Sequence, residues 1–140
     1  MKSIFLTIII FSALNCNIKN EPSIADNQYL EFFYFKGNKL FPFRLNCKSI
    51  RSEMFRDDVK YKKIEDREYI ERFTKEYEKL KTEKKQNEID VRMQIIFHNG
   101  KITDTICMGS HFGIKINGVK KKDSKPFLNL IQEKMYEPEK

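Results

Sequence analysis

Apolar positions along this chain change their period several times, and each change marks an element. Residues 28–36 (QYLEFFYFK) are rich in aromatics and residues 39–48 (KLFPFRLNCK) alternate. Gly37-Asn38 between them is a two-residue linker of the kind that favours a tight hairpin. That register sets Phe32 opposite Phe43 and Glu31 opposite Arg44, with Leu30, Phe32, Tyr34, Phe41, Phe43 and Leu45 on one face. Phe33, Phe35, Leu40 and Pro42 occupy the other. Pro42 lacks an N–H, so the second strand belongs at an edge or carries a bulge. Residues 49–64 show no clean period.

From 66 to 81 the period becomes helical. Tyr69, Ile70, Phe73, Tyr77 and Leu80 form one stripe, with Glu68–Arg72 and Glu71–Lys75 spaced for i,i+4 pairs on the charged side. Strand chemistry returns over 89–98, where Val91, Met93, Ile95 and Phe97 share a face, and Asn99-Gly100 is a strong hairpin signal. A return strand over 101–108 follows, then a Gly109-Ser110 turn, a strand over 111–116 and an Asn117-Gly118 turn. Asp123 or Ser124 caps a last helix, with Pro126 in its first turn and Phe127, Leu130, Ile131 and Met135 on its apolar side. The order is β-β-α-β-β-β-α. It predicts an α+β domain: an antiparallel sheet of about five strands with both helices packed on one face.

The N-terminal pattern is of another kind. Behind Met1-Lys2-Ser3, residues 4–14 run uncharged and continuously apolar, and Ser12-Ala13-Leu14-Asn15-Cys16 closes the run. A membrane-spanning helix needs about 20 such residues, so the run is too short to be one. This layout resembles the signal and lipobox of bacterial lipoproteins, in which the cysteine is lipidated and becomes the new N-terminus. The resemblance covers the first sixteen residues. It implies export, lipid on Cys16, and attachment to the inner or outer membrane of a cell envelope. Residues 17–27 are polar, contain Pro22, and read as a tether. The chain therefore divides into a signal peptide (1–15), a lipidated cysteine with its tether (16–27), and one small domain (28–137).

Composition narrows the partners. Hydrophobic residues make up 40% and charged residues 34%, ordinary values for a folded domain, and twelve Phe and six Tyr supply core bulk in the absence of Trp. The formal charge is +7. In an exported protein nucleic acid is a poor match for that charge; anionic lipid, lipopolysaccharide phosphates or another envelope protein are the nearer partners. Lys120, Lys121 and Lys122 form an exposed basic run, and Lys84-Lys85 and Lys60-Tyr61-Lys62-Lys63 are others. Because both faces of the first predicted hairpin carry Phe, Phe33 and Phe35 join Lys120–Lys122 as the candidate binding surface.

Candidate chemistry is sparse. With Cys16 set aside, Cys47 and Cys107 are an even pair in an oxidising compartment and form the candidate disulfide. The predicted registers place Cys107 opposite Arg92 and turn the two thiols to different faces, which favours two separate half-buried thiols instead. His98 and His111 flank opposite ends of one hairpin array, about 20 Å apart, which excludes a shared metal. Ser110-His111 with Asp104 has the parts of a triad, but neighbouring residues on a strand point to opposite faces. No cofactor motif stands out, since residues 109–113 lack the Lys-Ser/Thr and helix of a phosphate loop. The expectation is a non-catalytic envelope module that binds a macromolecule or stabilises an assembly. Two other classes compete: a small hydrolase using His98 or His111, and an inhibitor or immunity-type protein docking through a strand edge.

Overall fold

A computed structural model describes residues 27–35, 39 and 41–136. Cys16 and the signal-like segment, together with the Gly37-Asn38 linker, lie outside the described residues. The elements run β1 (Gln28–Phe35), β2 (Val59–Ile64), α1 (Arg67–Glu78), β3 (Met93–Asn99), β4 (Ile102–Met108), β5 (Ile114–Ile116), β6 (Val119–Lys121) and α2 (Lys125–Met135). All neighbouring strands are antiparallel, in the order β2-β1-β3-β4-β5-β6. The predicted α+β class is the observed one, with six strands among the described residues where about five were expected.

Both helices start where their sequences say they should, and α1 stops at Glu78, short of the expected 81. The Asp66 side chain accepts from the Tyr69 N–H at 3.2 Å, and Ser124 caps α2 through the Phe127 N–H with Pro126 in the first turn. The stripe of α1 buries Tyr69, Ile70 and Phe73, while Tyr77 and Leu80 pack at its margin. α2 buries Phe127, Leu130 and Ile131. Both helices cover the sheet face that carries Leu30, Phe32, Met93, Ile95, Phe97 and Ile106. Tyr69 fastens α1 to α2 by donating its hydroxyl to the Leu130 carbonyl at 2.9 Å. The expected Glu68–Arg72 pairing gives way to a bridge between helices, because Arg72 spans to both Glu133 oxygens at 3.1 and 2.7 Å.

The first hairpin is not formed. β1 pairs with β2 on one side and β3 on the other, leaving no ladder for residues 41–48. Those residues, followed by two short 3-10 turns (Ser49–Arg51 and Glu53–Phe55), cross over the sheet face opposite the helices. The crossing is pinned at Asp90-Val91: the Leu45 N–H donates to the Asp90 carboxylate and the Val91 N–H to the Leu45 carbonyl, each at 3.0 Å. Leu45, Ile50 and Phe55 form a second core there with Phe35, Ile89, Val91 and Cys107. Alternation over 41–48 therefore records a buried Leu45 between exposed neighbours, with Phe41 and Cys47 partly buried against the second core. β2 hid in the patternless stretch because it is the outermost strand: Lys60 and Lys62 stand on its helix side, and only Ile64 there is buried.

The Asn99-Gly100 hairpin forms two residues out of the expected register, so Cys107 faces Gln94 rather than Arg92. A two-residue slip keeps every side chain on its predicted face. Residues 111–113 stay outside the ladder and β5 begins at Ile114. The Asn117-Gly118 turn has φ of 49° and 83°, the left-handed pair a tight hairpin requires, and it delivers the unexpected sixth strand. Asn117 locks that turn by accepting from the Thr105 N–H at 2.8 Å.

Candidate functional site

The 41–58 crossing covers only the half of the outer face nearest Phe35. On the other half, Tyr29, Glu31, Tyr61, Lys63 and His98 stay exposed or half-buried. Glu31 is the hub. Its carboxylate meets His98 Nε2 at 2.8 Å and accepts the Tyr61 hydroxyl at 3.0 Å. The His98 hydrogen bond pulls the Glu31 carboxyl below its ordinary value, against a smaller upward push from burial and with further help from Tyr61. Tyr29 stacks on the His98 ring at 4.0 Å, and the Lys63 ammonium lies 4.6 Å from the Tyr29 ring centre. An open concavity of about 550 Å³ adjoins this group, lined in part by Gln28, Tyr29, Lys63, Arg67 and His98. The predicted Glu31–Arg44 pair is thus replaced by Glu31–His98, a consequence of β3 taking the place assigned to residues 39–48.

A second surface forms at the far edge of the sheet. Residues 81–83 run beside β6: the Glu83 N–H donates to the Lys120 carbonyl at 3.0 Å and the Lys122 N–H to the Lys81 carbonyl at 2.8 Å. Gln86 adds contacts with both the N–H and the carbonyl of Lys120. Two basic runs far apart in sequence thereby become one cluster of Lys81, Lys84, Lys85, Lys120, Lys121 and Lys122. The Lys120 ammonium donates to the Asn87 side chain and that of Lys121 to the Thr82 hydroxyl, both neutral acceptors. Nearby carboxylates are otherwise engaged: Glu88 holds Lys115 at 2.8 Å, which pulls its carboxyl below the usual range. Asp123 accepts from the Gly113 N–H, and Glu83 from the Lys84 N–H.

Other expected site residues are dispersed. Phe35 is buried against Phe41 and Phe55 and so belongs to the second core, not to a surface. Phe33 is half-buried beside Tyr61, with the Arg51 guanidinium 5.2 Å from its ring centre. Cys47 and Cys107 are joined as a disulfide with Cα atoms 5.7 Å apart. Contrary to the expected registers the two thiols meet, because Cys47 lies in the crossing segment and comes down onto the outer face, where Cys107 also points. Gln94 supports it there, donating to the Cys47 carbonyl at 3.2 Å. His111 lies exposed in the loop beyond the opposite end of β4 from His98. Among the described residues, no three His, Cys, Asp or Glu side chains group as metal ligands.

The sequence names Lys120–Lys122 and Lys84-Lys85 as separate basic runs, and neither their meeting nor the Glu31–His98 pair can be read from it, for one reason. Glu31 meets His98 across 67 positions, and Gln86 meets Lys120 across 34. No local period encodes either pairing. No family model, curated protein or solved structure matches the chain. What the fold and its surface define is therefore a class: a small, disulfide-tied α+β domain with a lysine-rich sheet edge.

Proposed function

We propose that this chain is a membrane-anchored cell-envelope lipoprotein whose α+β domain is a non-catalytic binding module. The observation that carries the binding half is the lysine edge. The heads of Lys120 and Lys121 rest on an amide and a hydroxyl oxygen, both neutral, so their charge stays available to an anionic partner. The anchoring half rests on residues 1–16, which resemble a lipoprotein signal and lipobox. The Cys47–Cys107 disulfide supports export independently, because such bonds persist in oxidising compartments. Labelled-palmitate incorporation tests the anchor. The wild type should take up label and fractionate with membranes, and Cys16→Ala should do neither. A wild type that stays unlabelled and soluble would refute anchoring.

One observation favours a second reading, a small envelope hydrolase: His98 sits within hydrogen-bond reach of Glu31 beside an open concavity. There Glu31 would orient the imidazole as a general base. Turnover of an ester, glycoside or phosphoester that disappears in His98→Asn would establish it. Against it, both Glu31 oxygens are occupied and the pair lies on an open sheet face, with no enclosure to exclude water.

A further inference from the structure

We infer that the lysine edge rests on the phosphate headgroups of the anionic membrane to which the chain is tethered; this deepens, and rests on, the anchored reading above. Across residues 81–88, 115 and 119–123, seven lysines stand against three carboxylates, a net +4 out of +7 for the whole chain. All three carboxylates already hold a partner within the domain. The excess is therefore concentrated on one edge and is not offset locally.

The geometry distinguishes a headgroup layer from a peptide. A peptide strand that docks on a sheet edge needs a free ladder of backbone groups. At β6 that ladder is already taken by residues 81–83. What remains outward is side-chain charge, and all of its positive part is lysine. An ammonium on a flexible stem is a point charge that suits phosphates at irregular spacing, whereas planar carboxylate recognition favours arginine. Reach also fits. Residues 17–27 can span up to ~36 Å when extended. β6 lies four strand spacings from β1, about 19 Å. A chain held at Cys16 and entering the domain at β1 can therefore lay this edge on the same bilayer.

The test is lysine acetylation footprinting of the full chain, reconstituted into vesicles of phosphatidylcholine alone or with about one third phosphatidylglycerol. On the anionic vesicles Lys84, Lys85 and Lys122 should acetylate several-fold more slowly than on neutral ones. Lys48, on the crossing segment, should react equally on both. The protection should vanish when salt is raised from ~0.1 M to ~0.5 M. In the K84E/K85E/K122E variant, changed only at exposed positions, Lys120 and Lys121 should lose their protection as well. Equal rates on the two vesicle types would overturn the inference and leave the edge to an acidic protein. Lipid on Cys16 combined with equal rates sinks the headgroup contact alone. Protection by anionic vesicles, with no lipid on Cys16 in cells, sinks the anchored reading and keeps the contact.

Discussion

Removing the Cys47–Cys107 bond tests how the outer face of the sheet is held. The bond joins positions 60 residues apart, and a loop of that size lowers the entropy of the unfolded chain by an amount equivalent to about 4 kcal/mol. Cys107 is buried in the second core, so truncating its sulfur adds a packing loss of roughly 1 kcal/mol. For a Cys47→Ala/Cys107→Ala variant the expected destabilisation is therefore about 4–5 kcal/mol. With a urea slope near 1.5 kcal/mol/M, typical of a domain this size, the midpoint should fall by about 3 M. Equilibrium unfolding followed by fluorescence or circular dichroism measures it, and wild type in reductant should move most of the same distance. The loss should also be uneven. The Leu45 and Val91 amides, which pin the crossing at Asp90-Val91, should exchange first, while the β1–β3 amides stay protected longest. A double variant within about 1 kcal/mol of wild type, or exchange rising uniformly, would refute the reasoning.

Two smaller perturbations probe other joints. Tyr69→Phe removes the hydroxyl that ties α1 to the Leu130 carbonyl and should cost about 1 kcal/mol in chemical denaturation, with the fold retained. Glu31→Gln should show a pH-dependent loss. The carboxyl is held below its ordinary 4.5, so its contribution is present above that value and disappears as pH falls through the lower folded value. Wild type and variant should thus differ in stability at neutral pH and converge in acid; a constant gap down to acid pH would contradict the Glu31–His98 assignment.

Legibility in the sequence followed the range of the contacts. α1 and α2 could be read from their own residues, because Asp66, Ser124 and Pro126 mark the starts and Phe73, Leu130 and Ile131 repeat at helical spacing. The two Asn-Gly turns were equally local. β2 could not be read, since an outermost strand buries little and VKYKKI has almost no apolar alternation. Its absence from the reading left β1 without a neighbour, and the alternating residues after Gly37-Asn38 were the natural substitute. That single substitution displaced Glu31 from His98, exposed Phe35 on paper, and turned Cys47 away from Cys107. The two lysine runs could be read only separately, because they meet through backbone bonds between Glu83 and Lys120, which no side-chain period announces.

β1 opens the domain in sequence yet lies inside the sheet, flanked by β2 and β3 along nearly its whole length. A pull delivered through the N-terminal segment along the axis of β1 enters at Gln28 and runs along this strand. Force in that direction loads both flanking ladders in shear, so their hydrogen bonds resist together instead of opening one at a time as they would at a peeled edge. The placement makes the strand through which the N-terminal segment enters a mechanically strong part of the domain.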